Sequence, residues 1–150
     1  MVIHRSVDTN DISRVLNHPQ VFPFLTDDLS PAFYDPVISP QVIYLINEQK
    51  TGVVRIDPMN GVTCNAHIAT LPEMWGDAVS FVKEALVWGF KNTKYLKVLA
   101  MVPEFNEHAM SLVSRSGFVR EGVIRKSFLK NWQLHDQIVF GLCKGDCLWQ

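Results

Sequence analysis

The sequence has little of what a membrane span, a nucleic-acid surface or a disulfide framework requires. No apolar run approaches the roughly 20 residues that cross a bilayer. Met1-Val2-Ile3-His4-Arg5 also lacks the basic segment, apolar core and small-residue cleavage site of a signal peptide, and a soluble, cytoplasmic protein is the expectation. Fourteen Lys and Arg against fifteen Asp and Glu leave a formal net charge of -1, so the basic footprint that neutralises phosphate backbones is missing and nucleic acid is not the expected partner. The three cysteines, Cys64, Cys143 and Cys147, form neither an even set nor a CxxC pair and have no second ligand pair at zinc-site spacing. They read as reduced thiols, and no metal is expected. Internal repeats and linkers are lacking as well.

What is present is enough apolar material for one core. With 47% apolar residues in 150, the chain reads as a single domain over residues 1–150. Val2 to Val7 reads as a strand, followed by a capping signal at Asp8-Thr9-Asn10 and by Ile12, Val15 and Leu16 at helical spacing, closed by Asn17-His18-Pro19. From Asn17 to Pro40 there is no sustained period; five prolines interrupt the segment, and Phe22, Phe24, Phe33 and Tyr34 lie among them. Val42 to Ile46, Gly52 to Ile56 and, after the turn Pro58-Met59-Asn60-Gly61, Val62 to Thr70 read as three consecutive antiparallel strands.

Between Gly76 and Phe90 the apolar Val79, Val82, Leu86 and Phe90 recur at three- and four-residue steps, which predicts an amphipathic helix lying on a sheet. Tyr95 to Val102 is a nearly continuous apolar run of the kind a central strand shows. Asn106 then opens a second helix through Ala109, Leu112 and Val113, and Gly117 is placed to end it in a left-handed conformation. Strands around Val119 to Leu129 and Leu134 to Cys143 flank the turn Lys130-Asn131-Trp132-Gln133. The order β, α, three β, α, β, α, β, β describes an α/β fold, a mixed and mostly antiparallel sheet with helices on both faces. Trp88, Trp132 and Trp149 read as packing or terminal residues.

A strand, a Gly-containing loop and an amphipathic helix in series make an anion site, because the first turn of a helix offers free N–H groups and the positive end of its dipole. That site falls on Glu73-Met74-Trp75-Gly76-Asp77-Ala78. The pattern Gln/Arg-x-x-Gly-x-Gly/Ala appears there with Glu73 at its first position. Asn106, eleven residues before Gly117-Phe118, supplies a second signature, and Glu121-Gly122-Val123 with Lys130-Asn131 and His135-Asp136 supplies a third. In these pieces and their order the stretch from about Val62 to Lys144 resembles the GNAT superfamily of acyl-CoA N-acyltransferases, and within it the branch that acetylates protein N-termini such as those of ribosomal proteins.

The resemblance implies acetyl-CoA as cosubstrate, with its pyrophosphate at Met74, Trp75, Gly76, Asp77 and Ala78. It implies that the strands at Val62 to Thr70 and Tyr95 to Val102 splay, leaving backbone groups of Ile68, Ala69 and Thr70 to bind pantetheine. It further implies direct attack of an amine, a protein N-terminus or a small amine, on the thioester, with a strand N–H near Ile68 or Ala69 for the oxyanion. The family's base is often a glutamate on the strand before the loop. Asn65 stands there and takes no proton, whereas His67 shares its face by strand alternation. His67 is therefore the candidate base, against the reading of a structural histidine bonded to a backbone carbonyl.

Asn106 is a candidate for holding the pantetheine arm or a water, or is simply a helix cap. The Ser and Tyr that often assist thiolate release are replaced by Ala109 and Val113, and Ser111, about 200° around the helix from Ala109, faces away. These departures keep open a second reading, a GNAT-fold module that binds CoA or a protein partner without turnover. His135-Asp136 reads as an acceptor-site pair or as a hairpin contact. The segment Asn17 to Pro40 reads as the acceptor wall, with Asp27-Asp28 attracting a cationic amine, or as a cover anchored to the core by its aromatics.

Overall fold

Local signals set the first helix. Asp8 caps α1 (Thr9–Leu16), its Oδ1 accepting the N–H groups of Asn10 and Asp11 at 3.0 and 3.1 Å, and Ile12, Val15 and Leu16 are buried along one face. The computed structural model describes residues 1–147, so Trp149, read from the sequence as terminal, lies outside the described residues. Strand β1 (Ile3–Ser6) precedes α1, and a single-turn helix α2 (Phe22–Leu25) follows it, inside the segment for which the sequence shows no period. Pro23 sits in the first turn of α2, where its missing N–H has no intrahelical partner to lose.

Strands β2 (Ile43–Asn47), β3 (Gly52–Pro58) and β4 (Thr63–Thr70) come next, then a 3-10 turn (Pro72–Asp77), α3 (Ala78–Asn92), β5 (Lys97–Pro103), α4 (Glu107–Arg115), β6 (Val119–Lys130) and β7 (Gln133–Cys143), with a last 3-10 turn at Lys144–Asp146. The seven strands form one sheet in the order β1-β2-β3-β4-β5-β7-β6. β4 and β5 run parallel, and the other neighbours are antiparallel. Alternation along each strand feeds two apolar layers. Tyr44, Ile46 and Val53 pack with Ile12, Val15 and Leu16 of α1 on one face. Leu45, Val54 and Ile56 pack on the other face with Phe81, Val82 and Phe90 of α3, and the same layer takes in Leu112 and Val113 of α4. Helices thus cover both faces, as the element order predicts. No helix of the described residues is long and apolar enough to cross a membrane.

Three details depart from the sequence reading. The helix expected from Gly76 begins at Ala78, because the preceding residues are wound as a 3-10 turn in which Met74 N–H reaches Leu71 O at 2.9 Å and Ala78 N–H reaches Trp75 O. Strand β5 begins at Lys97 and runs to Pro103, shifted from the apolar run Tyr95 to Val102, and Met101 within that run is 39% exposed because it faces an opening in the sheet. Trp132 does not pack. Asn131 and Trp132, with φ of 52° and 59°, form the two-residue turn between Lys130 and Gln133, and the Trp132 side chain is left 75% exposed at the hairpin tip. Trp88, by contrast, packs against the larger core layer. Gly117 has φ of 99°, the left-handed conformation expected after α4.

Candidate active site

The opening in the sheet follows from where pairing stops. Parallel pairing between β4 and β5 covers Thr63↔Lys97, Cys64↔Val98 and Asn65↔Leu99. Beyond Asn65, β4 remains paired to β3 as far as Thr70, and β5 remains paired to β7 as far as Pro103. The two strands diverge there, and a cleft of about 480 Å³ fills the gap, a size typical of small-molecule sites. It passes through the sheet. His67, Met101 and Gln137 line it on the face that carries α1 and α2, while Ala109 and Val113 of α4 line it on the face that carries α3.

His67 is half-exposed at this cleft, and its Nε2 lies 3.2 Å from Asp57 Oδ2 on β3. Arg55 donates from Nε to the other oxygen, Asp57 Oδ1, at 2.9 Å. The Arg55 guanidinium also reaches the Tyr34 hydroxyl, itself 2.7 Å from the Tyr44 hydroxyl. Burial draws the Asp57 carboxyl upward, but the hydrogen bonds from His67 and Arg55 outweigh it and hold its pKa below the ordinary carboxylate value. The partner of His67 is therefore a carboxylate, not a backbone carbonyl. Asn65, opposite Asp57 in the β3–β4 register, has a buried Oδ1 with no hydrogen-bond partner.

On the α3 side, Asn106 caps α4, its Oδ1 accepting the Ala109 N–H at 3.1 Å, and its side chain also borders the cleft. Ala109 and Val113 border it one turn apart, and Ser111 does not. Met74 and Ala78 are 5% and 3% exposed, so their side chains belong to the core and only main chain at those positions is available to a ligand. A Cβ built on Gly76 meets nothing within 4 Å, which leaves open space over the backbone just before α3. Glu73 and Asp77 are exposed beside it. The unpaired edge of β4 at Ile68 and the open backbone at Gly76 fit a ligand that carries both amides and phosphates, whereas the Ala69 main chain, expected to be free as well, faces β3.

Thr70 is a partial exception to the expected free edge, since its carbonyl accepts the Trp75 indole N–H at 3.3 Å. The Trp75 ring also lies 5.1 Å from that of His108 in the first turn of α4, so the two rings meet across one mouth of the cleft. The sequence reading missed His108. Only its place two residues after the Asn106 cap marks it, and that becomes informative once α4 is seen to flank the gap.

On the α1 side, Val21, Phe24 and Leu25 form a wall with Phe128 of β6. Of the four aromatics singled out in this segment, only Phe24 takes part. Tyr34 is held in the Arg55 network, and Phe33 is exposed. Asp27 and Asp28 are both engaged in hydrogen bonds from neutral donors, which hold them in place and leave their charge. Asp27 Oδ1 accepts from Leu29 N–H at 2.9 Å and from Ser30 Oγ at 3.1 Å. Asp28 takes the Asn131 and Trp132 N–H groups at 3.1 and 2.7 Å. Lys130 Nζ reaches the Pro23 and Thr26 carbonyls at 2.6 and 2.9 Å, tying the α2 segment to the β6–β7 hairpin. His135 and Asp136 do not line the cleft: His135 Nδ1 is 3.5 Å from Glu104 Oε1, and Asp136 Oδ1 accepts the Lys126 N–H at 2.9 Å.

No protein-family model and no curated protein matches the sequence. Solved structures do match. The chain is similar to a spermidine N-acetyltransferase from Vibrio cholerae determined with CoA and spermine, at 18% identity and TM-score 0.78, over 98% of this chain and 97% of that one. A point variant of spermidine N-acetyltransferase SpeG from the same organism matches at 18% identity and TM-score 0.78 over 99% and 98% of the two chains. A chimera of that enzyme with hSSAT matches at 24% identity and TM-score 0.62 over 71% and 69%. These relatives give no support to the narrower likeness to ribosomal-protein acetyltransferases. Strand order, splayed parallel pair and whole-length superposition together establish that this chain has the GNAT acetyltransferase fold.

Proposed function

We propose that the protein transfers an acetyl group from acetyl-CoA to a primary amine by direct attack. The observation that carries this reading is the gap between β4 and β5, which joins an open helix-start backbone on one face to a carboxylate-held histidine on the other. Main chain from Trp75 to Ala78, the β4 edge at Ile68, and Asn106 would hold acetyl-CoA, which supplies the activated acetyl thioester. His67, oriented by Asp57, takes one proton from the amine. The nitrogen lone pair then bonds to the acetyl carbon, the C–S bond breaks and sulfur leaves with the electron pair as thiolate, and the acylated nitrogen gives up its second proton to that thiolate or to water, leaving the amide and free CoA. A thiol with a reference pKa near 8.5 leaves without a general acid, which accommodates Ala109 and Val113 on the cleft wall. An α-amino group, with a reference pKa near 8, asks less of the base than a lysine at about 10.4, so a protein N-terminus and a small amine are both chemically suited.

The apolar Ala109 and Val113 favour a second reading, binding of CoA or a protein partner without turnover. The two separate in one experiment. Acetyl-CoA raises the melting temperature under either reading, whereas only the transferase releases free CoA when a panel of amines and peptides is added. Stabilisation without CoA release on any acceptor selects the second reading.

A further inference from the structure

The acceptor side of the cleft is mostly apolar and carries no carboxylate. Val21, Phe24, Leu25, Met101 and Phe128 form most of it, with the uncharged amides of Gln20 and Gln137 and the imidazole of His67 beside them, and among the described residues that line the cleft there is neither Asp nor Glu. Phe24 and Leu25 are 59% and 39% exposed at the mouth, apolar surface that nothing in the described chain covers. Acidic groups do stand on the surrounding elements outside the lining, where Asp35, Glu73, Asp77 and Glu107 are exposed and five others are engaged. Asp57 lies between Arg55 and His67. Asp27 and Asp28 hold the α2 segment together and to the hairpin tip. Glu104 faces His135, and Asp136 holds the Lys126 N–H.

The chemistry of the acceptor follows from that distribution. A chain bearing several ammonium groups would leave water on entering this wall and meet no carboxylate among the residues that line it, and an unpaired charge removed from water is costly. The single attacking nitrogen enters as the neutral base or surrenders its proton to His67, so its charge does not persist. An alkyl or aryl body, in turn, exchanges water for Phe24, Leu25 and Phe128.

We infer that the acceptor is a primary amine carried on an uncharged apolar group, that Phe24, Leu25 and Phe128 determine this preference, and that polyamines are poor acceptors. The chain then differs in acceptor from the spermidine enzymes whose fold it shares. The inference rests on the transferase reading, and it makes a separate claim about binding.

The test has two arms. CoA release is measured with acetyl-CoA and 2-phenylethylamine, hexylamine, 1,4-diaminobutane or spermidine. Calorimetry then measures 2-phenylethylamine and spermidine binding to the CoA-loaded protein, which needs no turnover. Expected are kcat/KM values at least about tenfold higher for the two monoamines, tighter binding of 2-phenylethylamine, and a ratio that moves toward spermidine in Leu25→Glu. Spermidine binding or reacting as well as 2-phenylethylamine overturns the inference, as does an unchanged ratio in Leu25→Glu. Release with no amine at all, while 2-phenylethylamine still binds more tightly than spermidine, rejects turnover and leaves the recognition claim standing.

Discussion

His67 and Asp57 meet across two neighbouring strands, Nε2 to Oδ2 at 3.2 Å, with Arg55 holding the second oxygen of the same carboxylate. Asp57 thereby fixes which edge of the imidazole meets the cleft. His67→Gln is expected to lower kcat/KM by about 100-fold or more and to remove the limb of the pH–rate profile that the imidazole supplies, with acetyl-CoA affinity kept. A profile identical to that of the unsubstituted protein would show that water or the amine itself manages the proton.

The same contact has a stability signature. Because the folded pKa of Asp57 lies below its ordinary 3.8, the carboxylate contributes stability that is complete above that value and is lost as pH falls through the lower, folded pKa. Thermal unfolding measured from about pH 6 downward is expected to show the Tm of the parent protein falling below pH 4 more steeply than that of Asp57→Asn. Parallel curves would mean that Asp57 does not depend on its charge.

Asp28 serves as a tether. Asp28→Ala strips the hairpin N–H groups of Asn131 and Trp132 of their acceptor. A loss of about 1 to 3 kcal/mol is expected in chemical denaturation, with a raised acceptor KM as the α2 wall loosens. The tether alone predicts a rise in KM that is the same at low and high salt, because it acts through the position of the wall and not through charge. A salt-dependent KM in this variant would restore the steering role.

At Gly76 the two sides of the substitution come apart. A methyl group meets nothing there and the residue has no positive φ, so Gly76→Ala should melt within about 0.5 kcal/mol of the parent. Gly76→Glu adds bulk and negative charge at a helix start, and a weakening of acetyl-CoA binding by at least about tenfold is expected in a titration. Undiminished affinity would move the cofactor elsewhere.

Thiol chemistry offers a check on the core. Burial pushes the Cys64 thiol to about 12 and raises that of Cys147, whereas Cys143 is exposed with Lys97 Nζ 3.5 Å from its sulfur. Mass spectrometry after brief alkylation of the folded protein should find Cys143 labelled, with Cys64 and Cys147 labelled only after unfolding. Early labelling of Cys64 would contradict its place in the core.

Much of the frame was legible because its signals are local. The Asp8 cap, the spacing of Val82, Leu86 and Phe90, and Gly117 after α4 each depend on residues a turn or two apart. The splay of β4 and β5 came from resemblance alone, since no period encodes where two strands part. The Asp57 partner of His67 was within reach: pairing Pro58 with Cys64 across the Asn60-Gly61 turn places Asp57 opposite Asn65, and so beside His67. The roles of Asp28 and Trp75 were not, because the first depends on a hairpin about a hundred residues away and the second on a 3-10 turn whose propensity signal resembles that of any loop. Trp132 misled because a large apolar side chain usually means burial, and here backbone geometry placed it at a tip.

Only three register pairs, with the Leu96 and Lys97 N–H groups reaching the Val62 carbonyl just before them, stitch β4 to β5 among the described residues, so the sheet is two plates, β1 to β4 and β5 with β7 and β6, hinged at 62–65. A guest lying in the gap acts as an eighth strand. It occupies the edge donors and acceptors that the hinge leaves over, and it stiffens the plates against one another. The amide proton of Ile68, which faces the gap, should therefore exchange with solvent at a rate set by occupancy, fast in the empty protein and slow in the loaded one, while that of Ala69, which belongs to the β3 ladder, keeps its pace. The site would then report its own filling through the rigidity of the sheet.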